Sequence, residues 1–516
     1  MSSLPIADLI LAEMDQRASA ANVPRHRRLY EAIRSAVLAR RLPVGSKLPS
    51  TRDLAKDLGL SRNTVVTAFE QLLAEGYVSA RTGSGTFVAD TLPEPAGREV
   101  APVPSSTFTH QDGATAPQHA PNLGTIAADF AALSVRGRRV AKHAAGHRYE
   151  IQPFVPGDDD YSAFPIKLWQ RLQNKYWREA RPELLDYGQN GGYLPLRRAI
   201  ADYLRVSRSV RVTVEQVLIT GGTQHSLDLC AQLLADTGDT AWVEDPCYWG
   251  AQRVFESRDL DLHPVRVDDE GMNPLPEDLQ RVPRLIYLTP SHQYPKSVVM
   301  SLARRRLLLD IAARTGAWIL EDDYDSEFRY TGRPLSSLQG LDANERVVYM
   351  GTFSKILYPG IKVGYMVVPP ALVAPFRSAL YDLQRPGQMM QQAALADFLE
   401  QGHFATHVRR IRQIYGQRRE LLQRTLAPIL GSTATISKEE SGLHLVIQLP
   451  AGSDDERLAE EAAEQGLHVR ALSSYYIGPE KERGLVVGYA YVPTDKIAYY
   501  GRLLGNVVKA AASGRR

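Results

Sequence analysis

Lys355 lies in the string GTFSKILYPGIKVGY (351–365), just after an apolar run and beside the small hydroxyl-bearing residues Thr352 and Ser354. A lysine placed there can lose its proton through desolvation and neighbouring positive charge, and can then form a Schiff base with an aldehyde. Taken alone, a single lysine is a solvated surface charge. Its reading changes only when other strings, spaced widely along the chain, supply what such an aldehyde needs.

Four strings do so. AWILEDDYDSEFRY (317–330) reads as a strand running straight into acidic residues. A carboxylate at the C-terminal end of a strand stands where open α/β sheets place ligand contacts, and pyridoxal phosphate requires one to keep its pyridine nitrogen protonated. Asp322 is the residue expected there, with Tyr324 donating to the phenolic oxygen. In VLITGGTQHSLDL (217–229) a strand ends at Gly221-Gly222-Thr223 and a helix begins, so free N–H groups and the helix dipole face a phosphate. The glycine pair alone would be a tight turn. Tyr248, in WVEDPCYWG (242–250), can lie against a cofactor ring or be a core aromatic. LTPSHQYPKS (288–297) brings His292, Gln293 and Tyr294 to another strand end, where a lone histidine is more often structural. No His cluster stands beside the acids, so no metal site is expected.

The elements that must position these residues follow from composition and periodicity. The chain has 516 residues, 44% hydrophobic and 23% charged, which excludes a single small module and wholesale disorder. Its two cysteines, Cys230 and Cys247, exclude a disulfide framework and point to a reducing cytoplasm. No run approaches 18 uncharged apolar residues, so no membrane partner is expected. From about residue 134, the strand-like runs 217–220, 240–245, 284–290, 317–323 and 346–352 alternate with helical segments, predicting a parallel α/β sheet with crossover helices. HLVIQL (444–449) and GLVVGYA (484–490), around the helix-like 454–466, predict a smaller α+β lobe. Residues 91–133, rich in Pro, Ser, Thr and Ala, read as a flexible linker.

The first ninety residues are different. Leu29, Ile33, Val37 and Leu38 share one face of a helix. Ser50 and Ser61 are N-cap candidates for two further helices, with Gly59 at the corner between them. Val65, Phe69, Leu72 and Leu73 form the expected buried stripe of the second helix, which leaves Arg62, Asn63 and Thr64 at its exposed start. Next, YVSARTGSGTFVAD predicts two short strands closed around Gly83 and Gly85. The net charge of the chain is only +3, but residues 17–62 carry eleven Lys and Arg against Glu31, Asp53 and Asp57. A charge-rich face is usually just solvated. Combined with capped helix starts and a glycine-tipped hairpin, it predicts double-stranded DNA as partner.

Residues 24–89 resemble the winged helix-turn-helix of the GntR regulators. By that resemblance Arg52, Arg62 and Thr64 contact DNA, and Gly83 and Gly85 let the wing approach the phosphates. The order of strand-end glycine loop, aromatic, polar strand end, Asp-x-Tyr and Ser-Lys resembles fold type I pyridoxal-phosphate aminotransferases over about 150–510. Family roles then fall on Lys355 as the Schiff-base lysine, Asp322, Tyr324 and Tyr248, with Gly222, Thr223, Thr352, Ser354 and Lys362 at the phosphate. Together the two halves are similar to the MocR/GabR family. The resemblance implies a bacterial cytoplasmic, nucleoid-associated regulator and a head-to-tail homodimer. It also implies three parts: a DNA-binding head over 1–90, the linker, and an aminotransferase-like effector domain over 134–516 that senses pyridoxal 5′-phosphate or an amine effector. Three departures stand out. Lys362 replaces the usual phosphate-binding arginine, Lys296-Ser297 replaces Thr-Gly, and Val486 stands where a carboxylate-binding arginine is expected. The same residues also admit a working aminotransferase with an accessory DNA-binding module, and a cofactor-free fold that only binds DNA.

Overall fold

The computed structural model describes residues 6–16, 25–74, 77–81, 84–89, 133–142, 152–179, 181–187, 191–330, 336–385, 387–438 and 441–513. The chain divides into two compact units, 1–119 and 120–516. Described residues stop at Ala89 and resume at Leu133, so the linker expected over 91–133 lies outside them apart from Leu133.

In the first unit, α1 (Ile6–Gln16), α2 (Arg25–Leu38), α3 (Thr51–Asp57) and α4 (Arg62–Ala74) precede the antiparallel pair β1 (Val78–Arg81) and β2 (Gly85–Val88). Leu29, Ile33, Val37, Leu54, Val65, Phe69 and Leu72 close one core. Leu38 and Leu73, both expected to be buried, are 37% and 36% exposed. Each lies one residue beyond the apolar stripe, and Ala36 and Ala68 fill the core instead. Helix α1 was not anticipated. It buries Ile10 in the same core and pairs Glu13 with Arg41.

The second unit is built on an eight-stranded sheet. Its strands are β3 (Val217–Thr220), β4 (Thr240–Asp245), β5 (Asp261–Asp268), β6 (Gly271–Met272), β7 (Leu285–Leu288), β8 (Trp318–Asp323), β9 (Val347–Thr352) and β10 (Gly364–Val367). They run in the order β3-β10-β9-β8-β7-β4-β5-β6. The sheet is mixed rather than wholly parallel. β10 is antiparallel to both β3 and β9, and β6 is antiparallel to β5. A short reversal after Lys355 returns the chain as β10, with no crossover helix to force the parallel sense. The smaller lobe has four antiparallel strands, β11 (Thr435–Ile436), β12 (His444–Gln448), β13 (Arg470–Ala471) and β14 (Gly484–Gly488), in the order β11-β12-β14-β13. Among the described residues no helix is long and apolar enough to cross a membrane.

Below the strand ends a buried ion pair fixes the loop geometry. Arg208 Nε donates to Asp323 Oδ2 at 2.7 Å, and Tyr349 and Ser291 complete the cluster. Removing Arg208 leaves a buried carboxylate without its cation. Arg208→Ala should therefore lower unfolding free energy by about 3–5 kcal/mol in urea titration. Arg27→Ala, which breaks the exposed pair with Glu31, should change it by less than about 1 kcal/mol.

Candidate functional site

In the first unit the helix starts form as the sequence implies. Ser50 Oγ accepts from Asp53 N and Ser61 Oγ accepts from Thr64 N, both at 3.2 Å. Arg52, Arg62 and Asn63 are exposed. Thr64 is half-buried, its hydroxyl 2.8 Å from that of Ser61. Gly85 has φ +111°, a backbone conformation that favours glycine in the wing, and its nearest neighbour on the Cβ side is the flexible end of Lys47. Gly83 lies outside the described residues.

In the second unit the expected residues gather around the C-terminal ends of β4, β7, β8 and β9. Asp322 is 3% exposed. Its Oδ2 accepts from Tyr287 at 3.0 Å, while its Oδ1 is buried without a donor. Burial pushes its carboxyl up to about 7, against the lowering effect of the Tyr287 hydrogen bond. Such an orphaned acceptor is what a protonated ring nitrogen would satisfy. Tyr324 donates to the His292 carbonyl at 3.1 Å and lies 3.0 Å from His292 Nδ1, which also meets Asp325 at 2.8 Å. Tyr248 receives a hydrogen bond from Gln224 at 3.1 Å and stands edge-on to Tyr294.

The phosphate-loop candidates also assemble. Gly222, at φ +105°, caps the helix Thr223–Leu234. A Cβ on Gly364 would come within 2.7 Å of Gly222 Cα, so two backbones meet closely where β10 passes β3. Thr352 Oγ1 accepts from Ser354 N at 3.1 Å. Lys362 has φ +49° and lines a cavity of about 220 Å³ together with Gly221, His225 and Arg385. His225 accepts from Gly221 N through Nδ1, so its Nε2 carries the proton.

Lys355 points elsewhere. Its Nζ donates to the Gly157 carbonyl at 2.6 Å and lies 3.8 Å from Asp159 Oδ2. Among the described residues, neither Asp322 nor Tyr324 hydrogen-bonds to it.

Several site residues were missed in the sequence. PGDDDY (156–161) places Asp158 and Asp159 against Lys355, and three successive acids after a glycine were the available signal. Arg470, a lone cation in an apolar strand, stands directly across the ladder from Val486, beside Tyr475 and Tyr294. Opposed residues of an antiparallel pair share one face, so Arg470 projects from the same face of the ladder as Val486. Lys296 pairs with Glu482 at 2.7 Å. Ser297 adopts φ +68°, a conformation easier for the usual glycine. Glu244 and Glu327 are also buried carboxyls pushed up to about 7 by desolvation.

Raised carboxyl pKa values make folding favour the protonated forms. The associated stability is complete below about pH 4 and is lost as pH rises through about 7. Asparagine at 322 removes one such group. The stability of cofactor-free Asp322→Asn relative to wild type should therefore increase between pH 5 and pH 8, by about 1–4 kcal/mol. A pH-independent difference in denaturant midpoints would contradict this.

Comparisons with known proteins give the geometry its context. Residues 157–499 match the family model described as aminotransferase class I and II, and residues 25–88 match bacterial regulatory proteins of the gntR family. The "Probable rhizopine catabolism regulatory protein MocR" of Rhizobium meliloti is 40% identical over 91% of this chain and 91% of that protein. The pyridoxine biosynthesis transcriptional regulator PdxR of Corynebacterium glutamicum is 31% identical over 91% of this chain and 93% of its own. Among solved structures, kynurenine aminotransferase from Pyrococcus horikoshii superposes with a TM-score of 0.66. It is 26% identical and covers 74% of this chain and 96% of its own. With a gntR-type reading head and an aminotransferase unit in one chain, and regulators of the same layout matching nearly its whole length, the protein belongs to the MocR/GabR family of transcription regulators.

Proposed function

We propose that this regulator holds pyridoxal 5′-phosphate in its larger unit and reports the occupancy of that pocket to promoter DNA bound by residues 1–90, through the linker at 91–133. The observation that carries the reading is the buried, donor-less Oδ1 of Asp322 at the end of β8. When bound, the cofactor supplies an aldehyde that condenses with a primary amine. Asp322 receives the ring N–H, Tyr324 donates to the phenolic oxygen, and Tyr248 covers the ring. The N-terminus of the helix Thr223–Leu234 at Gly222 and Thr223, with Thr352, Ser354 and Lys362, holds the phosphate. Lys355 provides the amine by turning away from Gly157. Arg52, Arg62 and Thr64 read and position the DNA, with the wing at Gly83 and Gly85 against its backbone.

An amine effector acts only through different affinity for two arrangements of the protein, taken here as a head-to-tail homodimer in the bacterial cytoplasm. The two regulators named above are described by rhizopine catabolism and by pyridoxine biosynthesis. An amino compound and the cofactor itself are thus both candidate signals.

A second reading, a working aminotransferase, is favoured by one observation: Arg470 offers a guanidinium across from Val486. Sustained turnover of amino acid and keto acid would select it.

The regulatory reading is tested by gel retardation with the intergenic DNA beside the gene, with and without pyridoxal phosphate. Lys355→Ala should abolish both the absorbance band of the protonated Schiff base and the cofactor's effect on retardation. Arg62→Ala should weaken DNA binding by about 1–3 kcal/mol, roughly five- to 150-fold, and leave that band intact. A protonated Schiff-base band that persists in Lys355→Ala, or failure of the wild type to retard the fragment, would contradict the reading.

A further inference from the structure

The segment 157–160 leaves two features that cofactor binding does not use. Asp159 is 2% exposed and neither of its carboxylate oxygens has a hydrogen-bond donor. Among the described residues its one ion-pair partner is Lys355 Nζ at 3.8 Å, the amine that must leave to engage an aldehyde. The backbone holds this arrangement in place. Gly157, at φ +95°, presents its carbonyl to Nζ at 2.6 Å, and Asp160 anchors the segment through Arg418 at 2.6 Å. Asp158, half-buried, faces both Lys355 and Arg470. Once Lys355 turns to the cofactor, Asp159 is a buried carboxylate with no cation, and an unpaired buried charge must acquire either a cation or a proton.

We propose that Asp159 is the proton acceptor of the effector step, taking the proton of an incoming primary ammonium and later returning it to Lys355. This rests on the reading of the pocket as a pyridoxal-phosphate site. A primary ammonium is unreactive because it has no lone pair. Transfer of one proton to the Asp159 carboxylate breaks an N–H bond, forms an O–H bond and leaves a neutral amine. That amine attacks the carbon joined to the protonated imine nitrogen of Lys355. One hydrogen passes from the incoming nitrogen to the lysine nitrogen, and the bond from that carbon to Lys355 breaks as the new C=N bond forms. The positive charge stays on the new imine nitrogen while Lys355 leaves as a neutral amine. Asp159 then gives its proton to Lys355, which restores the pair seen at 3.8 Å. Only protons move, and no oxidant or reductant is required.

The surroundings suit this role. Burial pushes the Asp159 carboxyl up to about 7, against the lowering effect of Lys355 and with Asp158 and Asp325 pushing the same way. Departure of Lys355 removes that lowering effect, so in the loaded protein the Asp159 carboxyl is pushed higher still and is ionised, ready to accept a proton, only as pH rises above about 7. The other groups facing it are Tyr161 on its own segment and Tyr415 from the long helix His403–Leu430, both with hydroxyls pushed up by burial. His444, which faces Lys355, is held at about 3 by burial and so stays neutral.

The test uses the full chain loaded with pyridoxal phosphate and ethylamine as probe, with borohydride quenching at successive times to follow the rate at which the cofactor is lost from Lys355, from pH 6 to pH 10. In the wild type the rate per total amine should level off once Asp159 ionises, well below the alkylammonium pKa of about 10. In Asp159→Asn it should be about tenfold or more lower near pH 7, should rise tenfold per pH unit, and should converge on the wild type near pH 10. A wild-type rate that itself rises tenfold per unit up to pH 10 would overturn the proposal without recourse to any variant. So would an Asp159→Asn rate lowered equally at every pH, which is the mark of a structural role. A wild type that takes up no cofactor overturns both this inference and the reading beneath it. Normal uptake with a profile insensitive to Asp159 overturns this inference alone.

Discussion

Carboxylates buried with too few donors are the constraint around which the larger unit is arranged. Among the described residues Asp322, Asp323 and Glu244 each keep one oxygen without a hydrogen-bond partner, and Asp159 keeps two. Burying a charge in this way opposes folding unless a proton or a cation is supplied. The fold tolerates the arrangement because a large core surrounds it, with strands β3, β4 and β7–β10 almost wholly buried. A protonated ring nitrogen and an ammonium are the two species that would relieve it.

The pleat of β8 separates the structural acids from the one left free. Successive side chains point to opposite faces. Glu321 and Asp323 therefore share a face. Glu321 accepts from the backbone N–H groups of Leu338 and Gln339, both at 2.8 Å, and Asp323 is answered by Arg208. Asp322 points the other way, to Tyr287 on the neighbouring strand. One strand thus turns two carboxylates to its loops and the third to the opposite face. In the wing, Gly85 leaves room for Lys47 against the hairpin.

Much of this was legible in the sequence, because strongly apolar runs and glycine-punctuated strand ends record burial and turns directly. The runs at 217–220, 240–245 and 347–352 formed as strands, and Ser50 and Ser61 capped their helices. Strand direction was not legible. The period of two in β10 is the same whether it runs parallel or antiparallel, and only the short connection after Lys355 decides. Arg470 was hidden because its place depends on the register between β13 and β14, which are separated by a loop. Asp158 and Asp159 carry no sequence signal that separates them from an ordinary acidic turn, and only the fold shows that their segment meets Lys355. Leu38 and Leu73 show the limit of a stripe count, since a residue one step past the buried arc faces water.

The central claim is that one amine, Lys355, carries the cofactor. Reduction of the loaded protein with borohydride, followed by peptide mapping, tests it directly. The account predicts a single phosphopyridoxyl adduct on the peptide that contains Lys355. An adduct on another lysine, Lys362 or Lys296 included, or no adduct at all, would contradict it.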